Sequence, residues 1–279
     1  CQDYGAGRAI RTATEQRVPR YFGCRSTGYN PVMTYCLAIK IDEGLVFCSD
    51  SRTNAGPDQV STFSKLHRFS VPGDRQLVLL SAGNLATSQA VIDEIHRDLR
   101  EGARITVNNT QYLADVADYV GRLSVEVQHK YAPAGEEAGF NAEASFILGG
   151  QIRGEEPEIY LIYPEGNHIH ASSQHPFFQV GETKYGKPIL DRIIEAKTTH
   201  EVAMRCALVS MDSTLRSNAT VGPPIELLYL ASDDLSGSCM YRSFDHSDPY
   251  LLKLREGWNQ AVIDAFNNLP ELMVVFEGG

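Results

Sequence analysis

The sequence predicts an α+β protein of four layers, in which two antiparallel β-sheets pack together and helices cover both outer faces. Strand-like segments occur in pairs joined by short turns, which is typical of antiparallel hairpins. Two groups of strands are each followed by two segments with the apolar period of a helix. Strands and helices grouped in this way along a chain indicate an αββα sandwich.

The first two strands form a hairpin. Residues 34–41 alternate in side-chain character and end at the turn Asp42-Glu43-Gly44, after which residues 45–49 return as a buried strand. One face of the first strand carries Tyr35, Leu37 and Ile39, and the other face carries Cys36 and Ala38. The polar residues 52–60, which contain Gly and Pro, are predicted to form a loop.

A second strand pair, residues 65–70 and 76–82, is followed by two helices. The first helix is indicated by one apolar face, formed by Leu85, Val91, Ile92, Ile95 and Leu99. The second helix spans residues 110–130, where apolar residues recur with the helical period: Leu113, Val116, Val120, Leu123 and Val127.

The rest of the chain continues with strands and then helices. A central strand at 144–150 and a hairpin of residues 158–163 and 167–172 precede two helices at 183–196 and 200–215. An apolar strand at 225–230 and a final helix at 249–267 follow, the helix carrying Leu252, Trp258, Val262 and Phe266. Since no internal repeat or linker interrupts these elements, we predict a single domain over residues 34–279.

Composition and charge exclude several classes of function. The 279 residues carry a net charge of −10, and residues 1–33 contribute +3, so the remainder carries −10 minus +3, or −13. An acidic body without a basic face argues against a nucleic acid partner. No apolar run reaches the roughly 18 residues of a membrane span, and the Gly-rich motifs for bound nucleotides are absent.

The cysteines and the first residues bear on the compartment. None of the six cysteines has metal-ligand spacing, and those in apolar stretches indicate a reducing, cytoplasmic location. Residues 1–33 lack the apolar core of a secretory signal, and we expect them to be poorly ordered. They are interpreted as a propeptide, a targeting arm or upstream sequence outside the mature chain. We favour the last, with Met33 as an initiator whose removal exposes Thr34.

Three residues at strand boundaries are the main candidates for catalysis. Thr34 opens the first strand, Asp50 follows the second, and Lys65 begins the third. A threonine hydroxyl is a poor nucleophile until a base lies beside it, and a free α-amine on the same residue is such a base. This layout is that of an N-terminal nucleophile hydrolase, in which Asp50 orients a lysine that lowers the pKa of the amine.

Each of these residues also has a purely structural explanation. Thr commonly starts a strand, Asp commonly caps a turn, and Lys is usually solvated. Gly83, between a strand and a helix, has a backbone N–H suited to an oxyanion, or else lies in a plain turn. Asp212, Ser213 and Ser217 end a helix, where polar residues are usually caps, and Asp212 is the candidate to relay the proton of the amine through a hydroxyl.

Several segments together resemble the proteasome β-subunit superfamily, and within it the bacterial branch called Anbu, the ancestral β subunit. The resemblance lies in M-T-Y-C-L-A-I-K-I-D-E-G-L-V-F-C-S-D-S-R-T-N-A-G, S-T-F-S-K, L-L-S-A-G-N-L-A, V-G-E-T-K-Y-G-K-P-I-L-D and S-M-D-S-T-L-R-S-N. It extends from residue 34 to about 270. It implies an N-terminal nucleophile hydrolase fold and a threonine peptidase.

The resemblance also implies a role for individual residues. Thr34 falls on the nucleophile, Asp50 and Lys65 on the pair that tunes its amine, and Gly83 on the oxyanion glycine. Asp212 falls on the acidic residue near the amine, with Ser213 or Ser217 beside it. Arg52 and Thr53 fall at the substrate-facing start of the next loop. Two departures stand out, because Glu182 replaces a site serine and Met33 replaces the Gly that precedes the nucleophile in self-processing relatives.

The implied activity is hydrolysis of a peptide or unfolded protein inside a large homo-oligomer, without metal or organic cofactor. Two alternatives remain open. In the first, the chain is a structural ring or scaffold subunit of the same fold, which the Glu182 substitution allows. In the other, Cys1 is a terminal nucleophile of amidotransferase type, which is disfavoured because the residues after it are not strand-like.

Overall fold

The computed structural model describes residues 34–54, 60–135 and 141–272. In chain order its strands are Tyr35–Ile41 (β1), Gly44–Asp50 (β2), Arg52–Asn54 (β3), Val60–Thr62 (β4), Leu66–Val71 (β5), Arg75–Gly83 (β6), Ala144–Ile152 (β7), Glu158–Ile162 (β8), His168–His170 (β9), Phe177–Gly181 (β10), Ile225–Ala231 (β11) and Met240–Phe244 (β12). Its helices are Leu85–Glu101 (α1), Leu113–Gly135 (α2), Lys187–Ile193 (α3), His200–Ser217 (α4) and Pro249–Asn267 (α5).

The strands form two antiparallel sheets of five strands and one short two-stranded sheet. The first sheet has the order β10-β1-β2-β11-β12 and the second has the order β5-β6-β7-β8-β9. The helices α3, α4 and α5 pack on the first sheet, and α1 and α2 pack on the second. A separate apolar cluster fills the space between the two sheets. The predicted four-layer αββα sandwich is therefore confirmed.

The alternation of β1 assigns its side chains to two different layers. Tyr35, Leu37 and Ile39 join the cluster beneath α3 and α4. Cys36 and Ala38 join the cluster between the sheets. Since both faces of β1 are buried, the strand has a fixed position inside the first sheet, between β10 and β2, and this fixes the position of Thr34 at its start.

The structure corrects several element predictions. Residues 52–60 are not wholly a loop, because their ends belong to β3 and β4. The helix predicted at 183–196 is shorter, since α3 begins at Lys187 with Pro188 in its first turn. The strands β10 and β12 were not predicted. The proposed leader, residues 1–33, lies outside the described residues, so its separation from the domain stays a prediction.

The last helix extends beyond the body of the protein. At its start Leu251 is buried, and Trp258 packs partly against the cluster beneath α4. From residue 260 to residue 272 every residue is exposed. Val262 is 47% exposed and Phe266 is 71% exposed, and both lie on the face that begins with Trp258, because residues four apart on a helix are neighbours. No helix among the described residues is long and apolar enough to cross a membrane.

Candidate active site

The buried carboxylate of Asp50, at the end of β2, joins three separate segments of the chain. Its Oδ1 accepts hydrogen bonds from the hydroxyl of Thr34 at 3.0 Å, from the N–H of Tyr35 at 3.0 Å and from Nζ of Lys65 at 2.6 Å. Its Oδ2 accepts from the N–H of Gly222 at 3.1 Å. The structure thus brings Thr34, Asp50 and Lys65 together as a single cluster.

The two sheets bring these residues into contact. Antiparallel pairing of β1 with β2 in the register Cys36 to Ser49 puts Asp50 opposite the start of β1. Lys65 belongs to the other sheet, where its carbonyl accepts from the N–H of Ser81 on β6 at 3.1 Å. The ion pair between Lys65 and Asp50 therefore crosses the interface between the sheets.

Burial and hydrogen bonding act in opposite directions on Asp50. Burial raises the pKa of its carboxyl above the ordinary value of 3.8, because a charge is poorly solvated in the protein interior. The ammonium of Lys65 and the N–H groups of Tyr35 and Gly222 oppose this rise. The side chains of Lys65 and Asp50 are 6% and 0% exposed, so the pair is screened little by water.

Thr34 is held through its main chain as well as through its hydroxyl. Its carbonyl accepts from the N–H of Glu182 at 2.9 Å, just beyond β10. Gly181, the residue before Glu182, has φ +87°, and a Cβ there would lie 2.2 Å from the Thr34 carbonyl oxygen. A side chain at residue 181 would therefore push β10 away from the start of β1.

Gly83 ends β6 near this cluster. It lies two residues beyond Ser81, the residue that bonds to the Lys65 carbonyl, which corresponds to about 7 Å along a strand. Gly83 is exposed and has φ +103°, and a Cβ there would lie 2.5 Å from the carbonyl oxygen of Glu143. Its position next to the cluster and its exposed backbone are compatible with the predicted oxyanion role, which stays a prediction.

The structure gives Asp212 a different partner from the one expected. Its carboxylate pairs with Arg255 of α5, with Nε and Oδ1 2.6 Å apart. Asp212 and Ser217 are five residues apart on α4, which turns their side chains about 140° from each other. They cannot both face the same site. Ser213 is half-buried and Ser217 is exposed at the end of the helix.

Arg52 and Thr53 occupy β3, next to Asp50. The guanidinium of Arg52 donates to the carbonyl of Ala219 at 2.8 Å, and its carbonyl accepts from Nζ of Lys65 at 2.8 Å. Thr53 is buried, and its hydroxyl has no hydrogen-bond partner among the described residues. Arg52 thus holds the segment 218–222 in place, and the expected contact of both residues with substrate stays a prediction.

Sequence reasoning did not identify Gly222 as part of the site. Gly222 donates its N–H to Asp50, a role that no side-chain pattern reveals, although V-G-P-P marks a turn there. Glu182 was noticed only as a departure from the family pattern. Its carboxylate accepts from Nδ2 of Asn218 at 2.9 Å and lies 3.4 Å from Nζ of Lys184. No cluster of three or more potential metal ligands occurs in the described residues.

Comparison with protein-family models assigns the chain. The model described as proteasome subunit matches residues 34–230. The chain belongs to the proteasome family. Its match begins at Thr34, the residue whose hydroxyl contacts Asp50.

Solved structures place the chain in the Anbu branch of this family. It is 41% identical to Anbu from Yersinia bercovieri, with a TM-score of 0.80, covering 86% of this chain and 100% of that one. It is 43% identical to the Anbu of Pseudomonas aeruginosa, solved as a helical assembly, with a TM-score of 0.81 and coverage of 86% and 98%. The Gly-1 mutant of Anbu from Hyphomicrobium sp. strain MC1 gives 40% identity, a TM-score of 0.79 and coverage of 86% and 100%. A search of curated proteins finds no significant match.

Proposed function

We propose that the chain is a threonine peptidase subunit, in which Thr34 acts once it is the N-terminal residue of the mature chain. The observation that carries this proposal is the cluster itself. The hydroxyl of Thr34 and the ammonium of Lys65 bond to the same oxygen of Asp50, at 3.0 and 2.6 Å. A cation beside the α-amine favours the neutral amine, which is the form that accepts a proton.

In the proposed reaction, the α-amine of Thr34 takes the proton of the Thr34 hydroxyl, and Oγ1 attacks the carbonyl carbon of a peptide bond. The N–H of Gly83 stabilises the oxyanion. The C–N bond then breaks, and the leaving amine takes the proton from the α-ammonium. Finally the α-amine takes a proton from a water molecule as the water oxygen attacks the ester on Oγ1. The bond between the acyl carbon and Oγ1 breaks, the acid leaves, and the α-ammonium returns the proton to Oγ1.

The same proposal includes assembly with other copies of the chain. A relative that is 43% identical is solved as a helical assembly. The exposed apolar face of α5, with Val262 and Phe266, supplies surface that self-association would cover.

Peptides or unfolded polypeptides would be the substrates, because enclosure in an assembly excludes folded proteins. Residues 1–33 would be absent from the mature chain, which would act in the cytoplasm.

A structural subunit without activity is the second candidate, and one observation favours it. Asp212, expected beside the α-amine, is bound instead by Arg255. Intact mass and Edman sequencing of the purified protein discriminate between the two. A terminus at Thr34 supports the enzyme, whereas an intact Met33–Thr34 bond supports the structural subunit.

The substitution Thr34→Ala tests the proposed nucleophile. We expect hydrolysis of fluorogenic tripeptide amides to fall by about 10³-fold or more, because no other group takes over the attack. Thermal unfolding should change little, since the hydrogen bonds of the Thr34 main chain remain. Thr199→Ala is the matched control, because the side chain of Thr199 makes no capping hydrogen bond to α4. Full activity of Thr34→Ala would refute the proposal.

A further inference from the structure

Glu182 lies at the main chain of Thr34, on the other side from Asp50. The strands β1 and β10 are antiparallel with Tyr35 opposite Gly181, so the next pair outward is Thr34 and Glu182. The N–H of Glu182 donates to the Thr34 carbonyl at 2.9 Å. This hydrogen bond places Glu182 directly beside the main chain of Thr34.

Hydrogen bonds through the segment 218–222 connect Glu182 with Asp50, and both contact Thr34. The Glu182 carboxylate accepts from Nδ2 of Asn218 at 2.9 Å, and the Asn218 carbonyl accepts from the N–H of Val221 at 3.2 Å. The next residue, Gly222, donates to Asp50, which accepts from the Thr34 hydroxyl. The side chain of Glu182 is only 16% exposed, so its charge lies in a fixed and poorly hydrated position.

Several other charged groups lie on the elements around Thr34 and Glu182. Asp50 on β2 and Lys65 before β5 form one ion pair, and Glu226 on β11 accepts from Ser51, next to Asp50. Glu182 pairs with the exposed Lys184, with Nζ 3.4 Å from the carboxylate, and Asp212 on α4 pairs with Arg255 on α5. Lys65 and Glu182 are thus opposite charges on opposite sides of Thr34. Glu182 also replaces a serine expected from the family pattern, and a serine has no charge.

We propose that Glu182 is a positioning residue for the α-amine of Thr34, which it holds by charge so that the ammonium form persists to higher pH. The inference rests on the proposed function, since it requires Thr34 to be the terminal residue. A negative charge within about 4–6 Å favours the protonated amine. Lys65 acts in the opposite direction. The two residues together set the pH above which the amine is able to accept the proton of the hydroxyl.

The test is Glu182→Gln in the full chain, purified in the form whose terminus is established by intact mass. Glutamine keeps the shape and the oxygen that accepts from Asn218 but removes the charge. The rate at which cyanate carbamylates the Thr34 amine, followed by mass spectrometry of the N-terminal peptide, reports the neutral amine and needs no catalytic turnover. We expect the midpoint of this rate against pH to fall by about one pH unit.

The acid limb of kcat/KM for a tripeptide amide should move in the same direction and by the same amount. The control is Glu126→Gln on α2, which removes the same charge from an exposed pair with Arg122 and should leave the midpoint unchanged. An unchanged or raised midpoint in Glu182→Gln overturns the inference alone, provided that Thr34→Ala is inactive. A terminus other than Thr34 overturns both this inference and the proposed function.

Discussion

In the proposed mechanism Lys65 acts on the amine of Thr34, and in the structure it pairs with the carboxylate of Asp50, so Lys65→Met tests both roles. The amine loses a neighbouring cation, so we expect the acid limb of the pH–activity profile to move to higher pH. This is the opposite of the shift expected for Glu182→Gln. The measurement is kcat/KM against pH on the same peptide amide, and an unchanged limb would mean that Lys65 has another role.

The same substitution leaves Asp50 buried without its cation. Breaking a buried pair costs about 3–5 kcal/mol at neutral pH, which urea titration measures. The pKa of Asp50 is raised by burial, so the folded state binds a proton more readily than the unfolded state at this group. Stability from this group therefore falls as pH rises through the folded pKa, and the deficit of Lys65→Met should shrink on acidification.

Lys40→Met is the matched control. Lys40 also pairs with a carboxylate, Glu158, at 2.7 Å, but the two side chains are 33% and 19% exposed. Water screens such a pair, and its loss should cost at most about 1 kcal/mol. Equal losses for Lys40→Met and Lys65→Met would contradict the special position of the Asp50 pair.

The sequence identified Thr34, Asp50 and Lys65 because each lies at the boundary of a strand, where hydrophobic periodicity stops at a polar side chain. The arrangement of Asp212 was beyond the sequence, since its partner Arg255 belongs to a distant helix. Gly222 was missed for another physical reason. It acts through its N–H group, and every non-proline residue has one, so only the path of the chain reveals the contact.

At the scale of elements, the β1–β2 turn determines how α4 begins. The cap residue Thr199 makes no side-chain hydrogen bond to the helix. Instead Glu43 accepts from the N–H of His200 at 2.9 Å and also from its imidazole. The hydrogen bond from the His200 N–H contributes most, and the one from the imidazole comes next. Together they hold the pKa of Glu43 below its ordinary value of 4.5. The hairpin therefore supplies the negative charge that a helix N-terminus favours.

Glu43→Gln tests this contact. A carboxyl whose pKa is lower in the folded state stabilises the protein above its unfolded pKa, and this contribution is lost as pH falls through the folded pKa. The thermal midpoint of Glu43→Gln should thus lie below that of the parent at neutral pH, and the difference should disappear in acid below 4.5. Thr199→Ala should leave the thermal midpoint unchanged both at neutral pH and in acid. A clear drop in the midpoint would show that Thr199 provides the cap.

The elements that the sequence predicted well are those with two distinct faces. For α5 the predicted range 249–267 equals the observed one, because Asp248 and Pro249 mark its start and the apolar period continues to its end. The missed strands lack such a signal. Four of the five residues of β12 are exposed, and β10 reads F-F-Q-V-G without alternation. Both are edge strands, so one neighbouring strand, not a hydrophobic pattern, fixes them.

At the scale of the whole molecule, α5 predicts association. Phe266→Ser removes the most exposed aromatic side chain of the helix, 71% exposed. We expect a smaller mass by analytical ultracentrifugation, together with unchanged unfolding of the single subunit, since Phe266 contributes little to the core. Ile169→Ser, at a residue 44% exposed on β9, is the control and should keep the parent mass. Equal masses for the parent and Phe266→Ser would exclude this face from assembly.

On the proposed function, the salt bridge between the two sheets also makes the reactivity of Thr34 depend on folding. Asp50 emerges from the ribosome with the first sheet, but the lysine that faces it comes with the second, and β11, which completes the first sheet, comes nearly last. On that proposal, a nascent or half-folded subunit has Thr34 without the ion pair that would make it reactive. Completion of both sheets, together with exposure of the Thr34 amine, would then be the condition for activity.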